Sequence, residues 1–267
     1  MDKKIAFLGC GNMASAMIGG ILESKMISAQ NIMVTARTET TLKKAKESFG
    51  IQTTLDNSQA AAFADIVFLS VKPQFYEAVI HEISDEITED KIVVTVAPGL
   101  TLEHLEGVFG KHVKLVRTMP NTPALVGAGM TGVCANSYVN LDEMTLICEL
   151  LKTFGQVELV PEKLLDVVGA LSGSSPAFIF MLIEAMADAA VADGMPRAQA
   201  YKFAGQAVMG SAKLLLESGK HPGELKDMVC SPGGTTIEGV RTLEAKGYKS
   251  AMFEALKACV KRSRELI

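Results

Sequence analysis

The sequence predicts an α/β chain: a doubly wound, parallel sheet at the N-terminal end, followed by an all-helical C-terminal part. Three observations carry this expectation. Short, continuous apolar runs recur up to about Gly155, each followed by a turn or helix signal. Such runs suit parallel strands, which are buried on both faces. Beyond the run 157–160 no strand signal returns, and long helical patterns closed by glycines take over. A composition of 48% hydrophobic and 21% charged residues is that of a chain able to bury a sizeable core.

Taken in order, Ile5-Ala6-Phe7-Leu8 reads as the first strand. The next helix carries Met13, Met17 and Ile21 on one stripe, with Ala14, Ile18 and Leu22 beside it. Ile32-Met33-Val34 is a second strand, and 39–49 is a helix stopped by Gly50. Ile66-Val67-Phe68-Leu69 is a strand that ends at Ser70-Val71-Lys72-Pro73. The runs 92–96 and 113–116 are two more, ended by Pro98-Gly99 and by Met119-Pro120-Asn121. This alternation is the mark of a parallel sheet with crossover helices.

Helices are expected at 176–193, 198–217, 225–229 and 236–245, three of them closed by Gly194, Gly219 and Gly247. A last one is expected at 250–266, with Met252, Phe253, Leu256, Cys259 and Val260 on one face. The expected division is a sheet-bearing domain at 1–162 and a helical domain at 163–267.

A formal net charge of -4 with scattered Lys and Arg gives no reason to bind nucleic acid or an anionic membrane. The five cysteines are far apart and form no C-x-x-C, so neither a disulfide framework nor a zinc site is expected. No signal peptide is read, because Gly9 and Gly11 interrupt the first apolar run. The longest apolar stretch, 177–183, is too short to span a bilayer. A cytoplasmic protein with reduced thiols is the expectation.

Gly9-Cys10-Gly11-Asn12-Met13-Ala14 matches G-x-G-x-x-[GA] between a strand and a helix. Gly9 permits the tight turn, Gly11 lets a pyrophosphate approach the backbone, and Ala14 lets helix and strand pack closely. The pyrophosphate then meets the helix N-terminus. This predicts a Rossmann-like domain.

No acid stands at the tip of the second strand, which ends Thr35-Ala36-Arg37-Thr38. Arg37 and Thr38 suit a 2′-phosphate, so NADPH is expected, with NADH also usable. The residues expected at the cofactor are Leu8, Gly9, Gly11, Asn12, Met13, Arg37, Thr38, Asn57, Val71, Lys72, Pro73, Met119, Pro120 and Asn121.

In the helical half, Ser231-Pro232-Gly233-Gly234-Thr235-Thr236-Ile237 places glycines and hydroxyls just before a helix. That arrangement suits a small anion such as a carboxylate, or simply a capped loop. It is no Walker loop, because no Lys follows the glycines.

Five segments together resemble pyrroline-5-carboxylate reductase, in the family's order across the chain. They are the 9–14 fingerprint, Ser70-Val71-Lys72-Pro73, Arg117-Thr118-Met119-Pro120-Asn121-Thr122-Pro123, Ala170-Leu171-Ser172-Gly173-Ser174-Ser175-Pro176-Ala177, and His221-Pro222-Gly223-Glu224-Leu225-Lys226-Asp227 leading into 231–237. The resemblance implies reduction of 1-pyrroline-5-carboxylate to L-proline by hydride from NAD(P)H. It implies a homodimer with interlocked helical domains, active sites built from both subunits, and larger assemblies of dimers.

The substrate, a small imine carboxylate, is expected on Ser231, Gly233, Gly234, Thr235 and Thr236. The resemblance points to Thr236 as the group bonding the ring nitrogen, where a hydroxyl can polarise and position. His221 reads as a structural loop histidine, and the pairs Glu184/Asp193 and Glu224/Asp227 as solvated faces or caps. No Lys follows Ser172-Gly173 until Lys202, which argues against a hydroxyacid dehydrogenase. Reduction of another cyclic imine or keto acid, or non-catalytic nucleotide sensing, are the remaining alternatives.

Overall fold

Apolar runs of four residues become strands buried end to end. A computed structural model describes residues 2–265. The chain forms two compact units: the first holds the chain up to Ser174 and the segment from Cys259 on, the second Ser175–Ala258.

The first unit contains, in chain order, β1 (Ile5–Leu8), α1 (Asn12–Glu23), β2 (Ile32–Thr35), α2 (Glu39–Phe49), β3 (Gln52–Thr54), α3 (Asn57–Phe63), β4 (Ile66–Leu69), α4 (Tyr76–Ile83), β5 (Ile92–Thr95), α5 (Leu102–Phe109), β6 (Lys114–Met119), β7 (Gly129–Ala135), α6 (Leu141–Lys152), β8 (Gly155–Leu159) and α7 (Leu165–Val168). The sheet order is β3-β2-β1-β4-β5-β6-β7-β8. Its first six strands are parallel and follow the dinucleotide-binding order 3-2-1-4-5-6.

Successive residues of β1 feed opposite layers. Ile5 and Phe7 join Met17, Ile18 and Ile21 of α1, while Ala6 and Leu8 join Ile80, Ile83 and Leu105. The alternation is the strand period of two, and it explains why both faces are apolar.

The sheet is parallel, as expected, through β6; β7 then runs antiparallel to β6, while β8 is parallel to β7. Small residues hide β7 in the sequence, and packing demands them. A Cβ at Gly129 would lie 2.7 Å from the Phe154 carbonyl oxygen, and one at Gly132 would lie 2.8 Å from Val168. β6 also runs to Met119, beyond the apolar run 113–116. Its extra residues are buried, and two of the three are polar: the Thr118 hydroxyl donates to Thr95 O at 2.8 Å, and Arg117 meets Glu162 at 3.0 Å and Asp166 at 3.6 Å. The sequence reading does not predict β3, α3, α4, α5 or α6.

Past α7 the helix loosens into one π-helical stretch, Gly169–Ser174. The second unit then holds α8 (Ser175–Ala192), α9 (Arg197–Ser218), α10 (Pro222–Val229) and α11 (Thr235–Ala245). α12 (Tyr248–Arg264) begins in it and rejoins the first unit at Cys259; the expected helix end at Leu266 lies outside the described residues. Gly219 ends α9 in the left-handed conformation, φ 63°, as a C-terminal cap does. The buried residues of α8 and α9 are Ala187, Ala200 and Ala204, which let helices approach closely.

The helical run Glu162–Ala192 holds an 18-residue stretch of mean hydropathy 1.5, long and apolar enough to cross a bilayer by length and composition alone. The apolar stretch 177–183 lies within this helix, and Glu184 and Asp188 come after it.

Candidate functional site

In the first unit the strands' carboxyl ends present the fingerprint turn. β1 hands over to Gly9 at φ +103°, and a Cβ there would lie 2.8 Å from Ser70 O. Only glycine fits that conformation and that gap. The Gly9 N–H donates to Thr35 Oγ1 at 3.1 Å, and Ser70 Oγ donates to Gly9 O at 2.8 Å.

Gly11 is the N-cap of α1, and no side chain bonds the helix's first N–H groups. No acid lies in the first turn, and a Cβ on Gly11 would meet nothing within 4 Å. An uncapped helix N-terminus facing open space fits a pyrophosphate. Leu8 is fully buried beneath, Met13 is half-buried, and Asn12 is exposed.

At the tip of β2, Arg37 and Thr38 are exposed. The Arg37 guanidinium lies over the Phe75 ring, 5.3 Å from its centroid. Thr38 caps α2, its Oγ1 accepting from the Thr41 N–H at 3.4 Å. Asn57 opens α3: its Oδ1 accepts from the Thr35 hydroxyl at 2.7 Å, and its Nδ2 donates to Glu82 at 2.6 Å. Val71 is half-buried and Lys72 exposed, just before Pro73 begins a short 3-10 turn.

Met119, Pro120 and Asn121 are all buried at the end of β6. The Met119 thioether lies against Gly169, where a Cβ would sit 3.3 Å from its methyl. Asn121 Oδ1 accepts from the Met130 N–H at 2.8 Å, and its Nδ2 donates to Ser172 O at 3.1 Å. Pro176, four residues on, has no N–H to offer that carbonyl, so the Asn121 amide takes its place. Both ends of this side chain are therefore engaged by the scaffold.

Three supporting residues escape the sequence reading: Thr35, Ser70 as a hydroxyl, and Tyr76. Tyr76 is buried, its hydroxyl donating to Leu69 O at 2.5 Å beside Thr95 Oγ1 at 3.2 Å. Burial pushes its pKa up to about 12, despite the bond to Thr95. A polar residue closing an apolar strand was the available signal for Thr35 and Ser70. Burial likewise raises the Cys10 thiol, and raises Cys134 to about 11, with Glu162 adding to it. Neither is a thiolate at neutral pH.

In the second unit, Ser231-Pro232-Gly233-Gly234 forms a turn closed by Gly234 N–H to Ser231 O at 3.0 Å. Pro232 precedes Gly233 at φ +67°, the combination a type II turn requires. A Cβ on Gly234 would lie 2.4 Å from Ser231 Oγ, so that hydroxyl packs onto the glycine. Gly234 is the N-cap of α11 with no side-chain cap, and α11 begins at Thr235, one residue earlier than expected. The N–H groups of Thr235, Thr236 and Ile237 have no carbonyl inside the helix to take them. They lie in an exposed turn with the Thr235 and Thr236 hydroxyls, a set that can hold a carboxylate.

Nearby polar side chains are engaged around α10. His221 caps α10, its Nδ1 accepting from the Gly223 N–H at 3.1 Å. Glu224 pairs with Lys220 at 2.6 Å, as a solvated helix face does.

Two family models match: "NADP oxidoreductase coenzyme F420-dependent" over residues 4–99, and "Pyrroline-5-carboxylate reductase dimerisation" over 162–266. The pyrroline-5-carboxylate reductase of Escherichia coli (strain K12) is 48% identical, covering 100% of this chain and 99% of the relative. The solved structure of a pyrroline-5-carboxylate reductase from Coxiella burnetii superposes with a TM-score of 0.92 at 37% identity, covering 100% of this chain and 99% of that one. The Plasmodium falciparum pyrroline carboxylate reductase with NADP bound gives 0.89 at 29% identity, over 99% of this chain and 98% of that one.

Proposed function

The chain belongs to the pyrroline-5-carboxylate reductase family, and from that premise we infer that it reduces 1-pyrroline-5-carboxylate to L-proline with NAD(P)H. The observation that carries the reading within this chain is the presence, one in each unit, of two uncapped helix N-termini behind glycine turns. One, at Gly11, has room for a pyrophosphate; the other, at Gly234, carries hydroxyls for a small carboxylate.

The residues that would hold the dinucleotide are Leu8, Gly9, Gly11, Asn12 and Met13 at the first turn, with Val71, Lys72 and Pro73 after β4. Arg37, Thr38 and Asn57 would receive a 2′-phosphate by charge and hydrogen bond. Met119, Pro120 and Asn121 would form the wall at the nicotinamide end. When bound, the dinucleotide supplies the hydride that reduces the imine carbon.

Ser231, Gly233, Gly234, Thr235 and Thr236 would bind the substrate carboxylate through backbone N–H groups and hydroxyls. Thr236 polarises and positions the ring nitrogen. Its hydroxyl is too weak an acid to supply a proton alone, so solvent or prior protonation of the imine completes the balance. The helical part from 163 on pairs with a second copy, its helices interlocking, and dimers join into larger assemblies. The cytoplasm is its compartment.

The test is to mix the purified protein with NADPH and 1-pyrroline-5-carboxylate and follow nucleotide absorbance and proline formation, with NADH in parallel. Rapid proline formation is expected. Nucleotide binding without turnover would instead mean a sensor or another imine or keto acid. Thr236→Ala should lose about 10²-fold in kcat, the scale of one removed polarising donor; full turnover in it would sink that role. Arg37→Ala should reduce the NADPH-to-NADH preference about ten-fold, as loss of one charged hydrogen bond does.

A further inference from the structure

We propose that Thr35 and Ser70 are positioning residues: two hydroxyls that clamp the Gly9 peptide from the strands on either side of β1 and so preorganise the dinucleotide turn. This rests on the reading of that turn as the nucleotide site.

β1 lies between β2 and β4, with Leu8 opposite both Thr35 and Leu69. Thr35 ends β2, and Ser70 directly follows β4. The Gly9 N–H donates to Thr35 Oγ1 at 3.1 Å; Ser70 Oγ donates to Gly9 O at 2.8 Å and reaches Leu8 O at 3.1 Å. Both polar groups of Gly9 are thus tied, one from each side.

The donors run in one direction without conflict. Thr35 spends its only hydroxyl proton on Asn57 Oδ1 at 2.7 Å, so its lone pairs face the Gly9 N–H. The Asn57 amide is oriented in turn by its bond to Glu82 at 2.6 Å. Thr35 is 2% exposed, so it acts through Gly9 and not by touching a ligand.

The clamp matters because glycine at φ +103° is the least self-constrained residue available there. The direction of the following N–H groups, which receive the pyrophosphate, depends on the two peptide planes that flank Gly9, one held at its N–H and the other at its C=O. Fixing those planes before binding removes an ordering cost from association.

The experiment titrates NADPH into the full-length chain without imine, reading nucleotide fluorescence. Steady-state kinetics then give separate KM values for NADPH and imine. Thr35→Val keeps the shape but removes the oxygen, and should weaken NADPH binding about five- to ten-fold, the worth of a neutral hydrogen bond with a partner left unpaired. Its imine KM should stay within about two-fold, since the oxygen bonds only Gly9 and Asn57, both on the nucleotide side. Thr35→Ser restores the oxygen and should bind NADPH within about two-fold of the parent. Ser70→Ala should lose about three-fold.

Parent-like NADPH affinity in Thr35→Val overturns the proposal. So does equal weakness in Thr35→Ser, which would make bulk the cause, or an imine KM rising in step with that for NADPH. If Thr35→Val does not fold, Ser70→Ala decides: unchanged affinity overturns the clamp. A parent chain that binds no NADPH overturns the nucleotide site itself, whereas a parent that binds normally beside unaffected variants overturns the clamp alone.

Discussion

The two units bury apolar surface in opposite ways. In the first, whole strands and the facing stripes of their helices disappear from solvent: Ile5, Phe7, Met17, Ile18, Ile21 and Phe68 are all fully buried. In the second, the buried apolar residues among those described are Ala187, Ala200 and Ala204, while large side chains stand outside. Phe180 is 65% exposed, Phe203 68% and Leu216 81%. An alanine seam of that size cannot offset the ordering of over eighty residues. The apolar residues of α8 and α9 are thus addressed to a surface beyond their own unit, which matches the dimerisation model spanning 162–266.

The substitution that would most directly break this contrast is Phe180→Asp. On an isolated chain an exposed Phe replaced by Asp changes stability by about 0.5 kcal/mol or less. Beneath a second copy the carboxylate loses water without a partner, costing on the order of 3 kcal/mol or more per subunit. The expected outcome is loss of the dimer in sedimentation and of nearly all turnover. A variant that stays dimeric and active would show that this face of α8 is not covered.

Legibility in the sequence follows the same division. β1, α2 and β4 were readable to the residue, because a strand buried on both faces has no polar position to blur its ends. β7 was not, since the packing that requires Gly129 and Gly132 also removes the apolar run that marks a strand. β6 looked shorter than it is because its later part carries the polar Arg117 and Thr118, whose partners lie across the fold at Glu162 and Thr95. The two glycine turns were legible as motifs. Their supports were less so: a polar residue closing an apolar strand hints at Thr35 and Ser70, but their partner Gly9 is distant in sequence, as is Thr95 from Tyr76.

Tyr76 tests how firmly the first unit holds its ligand end. Its hydroxyl joins the ends of β4 and β5 at Leu69 O and Thr95 Oγ1. Tyr76→Phe should cost about 1–2 kcal/mol at neutral pH, since it strips a buried bonded hydroxyl from strand ends that keep their own polar groups. The pH dependence has a definite sign. The folded pKa, about 12, lies above the ordinary value of 10, so folding favours the neutral phenol. That contribution is complete below pH 10 and is lost as pH climbs through 10 toward 12. The gap in Tm between parent and Tyr76→Phe should therefore narrow over that window. A gap constant to pH 12 would mean the phenol gains nothing from its site.

The smallest effect belongs to the second unit, where His221 separates a structural cap from a proton shuttle. Its Nδ1 accepts from the Gly223 N–H at 3.1 Å, and Pro222 begins the helix, so the ring does the work that Asn or Asp does at other helix starts. His221→Ala should lower stability by about 0.5–1 kcal/mol and leave kcat within about two-fold. His221→Asn should restore most of the lost Tm, because its side-chain oxygen can take the same N–H. A shuttle predicts the reverse pattern: kcat falling in both variants, with the acidic limb of the pH–rate profile altered and no rescue by Asn. Rescue of Tm with unchanged turnover would place His221 in the support of α10, which leads into the Ser231 turn, and leave the hydroxyl of Thr236 as that turn's group for the ring nitrogen.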